Sequence, residues 1–305
     1  YMASDSVEAH FRFDASEDLR GERMFRTVVA AVIMCGLWLP AGLAVAADCD
    51  YVAPRVSRSD HPDLNGIWQA LNEANWDVEM HMARPALAVR PGPKGPVPAK
   101  EVLALGAIGS VPPGVGVVAG GDIPYTEQGL ATREANRQNW LEQDPEVKCY
   151  LPGVPRATYM PQPFQIFQNP DSVFIAYQYA GAVRDIYLED PGPAQVDAWM
   201  GQSYGRWEGD TLVVEVSGLN GQAWLDRSGN HMSWQARVTE RYTPMSPNHL
   251  HYEATIQDPE TFTRPWTISM PLYRRMEANA QLMDFKCVEF VEELLYGQWR
   301  RQPLD

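Results

Sequence analysis

Three groups of residues in this chain have the types and spacing that chemistry requires. The first is Gly201-Gln202-Ser203-Tyr204-Gly205, a complete G-x-S-x-G. In a nucleophile elbow this pattern strains a strand-to-helix turn, so that the serine hydroxyl projects toward a base. Asp226 and then His231 or His249 follow in the order Ser, Asp, His. The context does not suit an elbow: "RWEGDTLVVEV" reads as a β-hairpin turning at Glu208-Gly209-Asp210, and no helix begins after Ser203. A serine hydrolase using Ser203 is kept as an alternative behind an ordinary strand.

The second group is "WLDRSGNHMSW", Trp224 to Trp234. Asp226 beside His231 would make a general acid/base pair, because a carboxylate fixes the imidazole tautomer. The competing reading is a turn around Gly229 held by Asp and Asn side chains. Trp224 and Arg227 are candidate ligand contacts on the same loop. The third group centres on Glu240. In "QARVTERYT" the residues Ala236, Val238, Glu240 and Tyr242 share one face, which puts a carboxylate on the apolar side of a strand. Such a group either pairs with a cation or moves protons. Arg184 in "AVRDIYL" and Arg206 in "YGRWE" are its candidate partners. Together with Tyr204, and with Arg264 and Trp266 in "DPETFTRPW", they are also candidates to hold a ligand or its developing negative charge.

No cofactor is indicated. Gly114-Val115-Gly116 with Gly120 has prolines before it and "DIPY" after it, not the strand and helix that a phosphate loop needs. His249-Leu250-His251 with Glu253 presents two imidazoles and a carboxylate on one strand face. The opposite face (Leu250, Tyr252, Ala254, Ile256) is apolar, so the histidines read as the wet side and no metal is assigned.

The elements that must position these groups are strands. "PFQIFQ", "SVFIAYQY", "AVRDIYL", "SYGRWE", "TLVVEV", "QARVTERYT", "HLHYEATI", "WTISMPL" and "LMDFKCVE" alternate with period two and are rich in β-branched and aromatic residues. With "DLNGIWQ" they predict a mainly β, antiparallel barrel of about 8–10 strands. Residues 70–162 form a long loop-and-helix insertion after the first strand. Ala83 to Ile123 is dense in Pro and Gly, and Thr126 caps a helix in "TEQGLATREANRQNWLEQ". The tail "VEELLYGQWR" is expected to be a closing helix.

The net charge of −14 over 305 residues argues against nucleic acid, whose phosphates need a basic surface. Residues 24–47 have a basic start, the apolar run "TVVAAVIMCGLWLPAG" and a small-residue stretch, Ala44-Val45-Ala46-Ala47. They read as a secretory signal peptide, with residues 1–23 expected to lie upstream of the biological start and 48–305 forming one domain. Export, to the periplasm or beyond, without stable membrane insertion after cleavage, follows from that reading. Cys49, Cys149 and Cys287 then remain in an oxidising compartment, where one pair and one leftover are expected. Cys149 beside a rigid Leu-Pro-Gly-Val-Pro turn and Cys287 on a strand-like run are the preferred pair, which spacing does not decide. Cys49 is the expected odd thiol.

Taken together, "GQSYGRWEGDTLVVEV", "WLDRSGN", "RVTERY" and "QDPETFTRPWTISM" resemble a widespread family of exported bacterial proteins without a settled activity. The resemblance runs from about Cys149 to Cys287 and implies that both cysteines are family features. Gly66-Ile67-Trp68 is similar to the Gly-x-Trp that starts the first strand of lipocalin-type barrels. That resemblance implies an indole packed across the closed end and a late-strand arginine, Arg274 or Arg275, covering it. The combined expectation is a barrel whose aromatic-walled interior binds a hydrophobic or aromatic small molecule. Glu240 or the Asp226–His231 pair would move a proton in a cofactor-independent lyase, isomerase or hydrolase. The alternative is a non-catalytic periplasmic carrier. The sequence does not fix the oligomeric state.

Overall fold

The computed structural model describes residues 51–85, 89–90, 97–98 and 110–289. The signal-like segment 24–47 and the tail 291–300 lie outside the described residues. Nine strands close a barrel: β1 (Gly66–Ala70), β2 (Phe164–Gln168), β3 (Val173–Tyr177), β4 (Val183–Tyr187), β5 (Gln202–Glu208), β6 (Thr211–Ser217), β7 (Arg237–Ser246), β8 (His249–Gln257) and β9 (Trp266–Arg274). Each strand pairs with its neighbour in sequence, and β9 returns to β1 through Trp68↔Arg274. All pairings are antiparallel except β4–β5, which is parallel and has only two register pairs, Ile186↔Ser203 and Tyr187↔Tyr204. The segment between them must therefore cross from one end of the barrel to the other, and it does so over the outer surface.

Alternation sets which face is which. On β8, Leu250, Tyr252, Ala254 and Ile256 are buried while the intervening residues are half-buried, and β9 repeats this with Trp266, Ile268, Met270 and Leu272. Trp68 is buried at one end of the barrel. Its Nε1 donates to the Leu64 carbonyl at 3.0 Å, and the Arg274 guanidinium lies 4.2 Å from its ring. Arg274 also donates to the Asn65 carbonyl at 2.6 Å. Gly66 has φ +145°, and a Cβ there would meet the Arg274 guanidinium, so only glycine lets the arginine close over the indole. The arginine expected to cover this tryptophan is thus Arg274.

Two expectations are corrected. Leu282 to Glu289 is irregular and not a strand. The β9–β1 pairing has already closed the sheet, so no edge is left for another strand. This segment is tied down instead by the Cys149–Cys287 disulfide, by Phe285 packed on Tyr179, and by the Met283 amide donating to Gln178. The barrel interior is also not hollow. Phe164, Ile175, Leu212, Tyr242, Tyr252 and Ile268, inward-facing on six different strands, are all at most 1% exposed, which leaves no room for a water beside them.

Of the insertion between β1 and β2, the described part includes a helix α1 (Glu127–Gln138). Thr126 is its cap, accepting from the Gly129 amide at 3.0 Å. Among the described residues, no helix is long and apolar enough to cross a membrane.

Candidate functional site

Inside the barrel, Glu240 and Arg184 form a buried ion pair, Nη2 to Oε2 2.6 Å. The second carboxylate oxygen accepts from Tyr242 at 3.0 Å and Tyr252 at 2.7 Å. The remaining guanidinium donors reach Ser203 Oγ at 2.9 and 3.2 Å and the Tyr177 hydroxyl at 3.1 Å. Burial, and then the Glu240 charge, push the Tyr242 and Tyr252 phenols well above their ordinary range. These groups satisfy one another and are sealed by the core, so the cluster organises the barrel and has no surface to offer a guest. Ser203 faces this interior, is 2% exposed and accepts hydrogen bonds from Arg184, with no histidine bonded to it. The elbow reading is therefore not supported by its surroundings.

The Trp224–Trp234 loop caps one end of the barrel. Asp226 is fully buried, and each of its oxygens takes two donors. Oδ1 accepts from the Ser228 and Asn230 amides, and Oδ2 from the Val78 amide and the Asn230 side chain. This is the Asx-turn alternative around Gly229, and it leaves Asp226 no lone pair for His231. Burial, followed by the nearby Asp77 charge, pushes the Asp226 carboxyl up to about 7 against those four donors. The loop docks on α1 through Gly229, whose Cβ position would lie 2.7 Å from the Arg133 carbonyl, and through Asn136 donating to the Gly229 carbonyl at 3.2 Å.

Arg227 turns away from Asp226. It grips Glu146 with two hydrogen bonds of 2.6 and 2.8 Å, and its guanidinium sits 4.5 Å from the Trp76 ring and 5.4 Å from Trp140. Next to it Arg156 is paired bidentately with Asp144 at 2.9 and 3.0 Å, both fully buried. Burial alone would raise Glu146, but Arg227 and Arg156 together outweigh it and hold this carboxylate below its usual range. These charges fasten the insertion to the barrel end.

Between α1 and the capping loop lies an open cleft of about 340 Å³. Its walls include Lys148, Tyr150, Trp199, Trp224 and His231. Tyr150 and Trp199 stack at 5.0 Å and 12°, presenting a flat apolar wall. Trp224 bridges His231 in a short antiparallel contact. The His231 ring lies near-parallel to Tyr125, with centroids 6.1 Å apart. Burial, partly offset by the Gly229 carbonyl, lowers the His231 pKa, so the imidazole is neutral at pH 7. Its Nδ1 is hidden from solvent and has no hydrogen-bond partner. Lys148 makes no ion pair among the described residues. Chemically, this cleft offers two aromatic surfaces, one cation and the edge of a neutral imidazole. Sequence reasoning found Trp224 and His231 but missed Lys148, Tyr150 and Trp199. The signal was the "KCY" triplet, where a cation and an aromatic flank the cysteine that anchors them.

The other candidates lie elsewhere. Arg206 faces outward on β5 and pairs with Glu215 and Glu208 across the sheet surface. Tyr204 is on the same outer face. Arg264 is exposed and donates to the Pro265 carbonyl at 3.3 Å. Trp266 packs edge-on against Phe262 at 5.3 Å inside the barrel, and no stack of Arg264 on it forms. His249 bonds Ser246 at 2.6 Å, and His251 lies 3.8 Å from Glu253. Among the described residues no three His, Cys, Asp or Glu side chains come together as a metal site. No protein-family model, curated protein sequence or solved structure matches the chain.

Proposed function

We propose that this is an exported protein, allied to the bacterial family its motifs resemble, that binds a small planar aromatic molecule in the cleft beneath α1. The observation that carries this reading is the stacked Tyr150–Trp199 pair lining one cleft together with Trp224 and Lys148. The flat walls favour a ring, and Lys148, which makes no ion pair among the described residues, favours an anionic substituent on it. The Cys149–Cys287 disulfide supports an oxidising compartment.

Carriage fits better than catalysis through Asp226 or Glu240, because every oxygen of those two carboxylates is engaged by protein donors. Neutral His231 supports a second reading, in which it accepts a proton from the guest in an isomerase or lyase. The test is native mass spectrometry of the protein from its own host, followed by titration with planar aromatic carboxylates read by tryptophan fluorescence. Trp199→Ala and Lys148→Gln should weaken binding. If no aromatic carboxylate binds, or neither variant matters, the proposal is wrong. Turnover lost in His231→Asn with affinity retained would favour the enzyme.

A further inference from the structure

The parallel β4–β5 pairing has a second consequence. The segment joining those strands runs over the outside of the sheet and roofs a groove of about 910 Å³ on the outer faces of β5 to β8. The roof is pinned in place. Gln202 Nε2 donates to the Gly192 carbonyl at 2.7 Å, and Gly218 lets Ala194 approach so closely that a Cβ there would be 2.5 Å from the alanine methyl. The groove is therefore formed before any ligand arrives.

Its floor is polar and regular. Strand register aligns Gln202 with Ser217 on adjacent strands, and Arg237 with Gln257 on the next two. A second row runs from Tyr204 through Glu215 to Thr239. Hydroxyl, amide and guanidinium groups, with the Arg206-paired Glu215 carboxylate among them, thus repeat at the spacing of strands, roughly 4.8 Å. Arg237 and Gln257 make no side-chain hydrogen bond among the described residues. At the rim stands Trp234, 61% exposed. A tryptophan left this open beside unused planar donors is an aromatic platform without a partner.

We infer that this groove binds a neutral oligosaccharide, separately from the aromatic cleft. A pyranose ring has an apolar face of C–H bonds for the indole and a rim of hydroxyls that both donate and accept, as the floor requires. Other occupants fit the chemistry less well. A peptide strand needs an open sheet edge for its backbone, and here the floor strands are paired on both sides. A nucleic acid or acidic glycan meets a chain of net charge −14. A lipid tail would strand the floor's polar groups.

The test is calorimetric titration of the whole protein with neutral trisaccharides of glucose, galactose, mannose and xylose, each carried to roughly millimolar concentration, the range of weak recognition. At least one should bind, Trp234→Ala should weaken it about tenfold or more, and Gln257→Ala should weaken it measurably. Tyr150→Ala, in the aromatic cleft and outside the roof segment, should leave it unchanged. No binding by any of the four, equal binding in Trp234→Ala, or loss in Tyr150→Ala would each overturn the inference. Because the two sites carry separate variants, failure here leaves the aromatic cleft standing.

Discussion

Replacing Glu240 with glutamine separates a structural acid from a catalytic one. The side chain keeps its shape, but Arg184, 3% exposed, loses its one anionic partner among the described residues. Whichever way the amide turns, its NH2 group faces either the guanidinium or the two tyrosine hydroxyls that now donate to Glu240. Stranding one member of a buried pair costs about 3–5 kcal/mol. For a domain of this size that corresponds to a fall in Tm of roughly 6–20 °C. Circular dichroism melts measure it directly. Arg184→Met combined with Glu240→Leu should recover part of the loss, because no charge is then left alone, although Ser203 and three tyrosine hydroxyls lose partners. Binding of an aromatic carboxylate at the cleft should be unchanged in folded Glu240→Gln. A Tm within about 2 °C of the parent, below what a stranded charge costs, or selective loss of turnover without loss of stability, would refute the reasoning.

Two further outcomes follow from the buried network and the covalent tie. The Asp226 carboxyl carbon should titrate in NMR with a midpoint near 7, far above the ordinary aspartate value. Since its folded pKa is raised, this group favours folding at low pH and loses that contribution as pH rises from about 4 to about 7. A midpoint near 4 would contradict the placement. Cys287→Ser opens a loop of 138 residues and should lower stability by up to about 5 kcal/mol on loop entropy alone. It should also make Cys149 reactive to thiol reagents, whereas unchanged labelling would show that the cysteines are not joined.

The strands were readable because one face of each is buried. "HLHYEATI" alternates as the barrel demands, and the same period in "QARVTERYT" puts Glu240 on the inward face. The resemblance to Gly-x-Trp barrels offered Arg274 or Arg275 as the cover for Trp68, and only the close approach at Gly66 selects Arg274. The parallel seam was not readable. Nothing local distinguishes "SYGRWE" arriving from the far end of the barrel from the same strand arriving by a hairpin. Arg206 and Arg184 also look alike as isolated residues, and only register turns one outward and the other in. The cleft was least readable, because Lys148, Trp199 and His231 meet only where the disulfide-anchored insertion, the β4–β5 connection and the capping loop converge. "LMDFKCVE" has the pattern of a strand, but a closed sheet has no place for it.

The most direct test of the central claim is a crystal soaked with 2-naphthoate, a flat ring carrying one carboxylate. The account predicts its density between the Tyr150–Trp199 wall and Trp224, with the carboxylate toward Lys148 and the barrel interior unchanged. Density beside Glu240 and Arg184 within the barrel, or none in the cleft while the compound binds elsewhere, would contradict it.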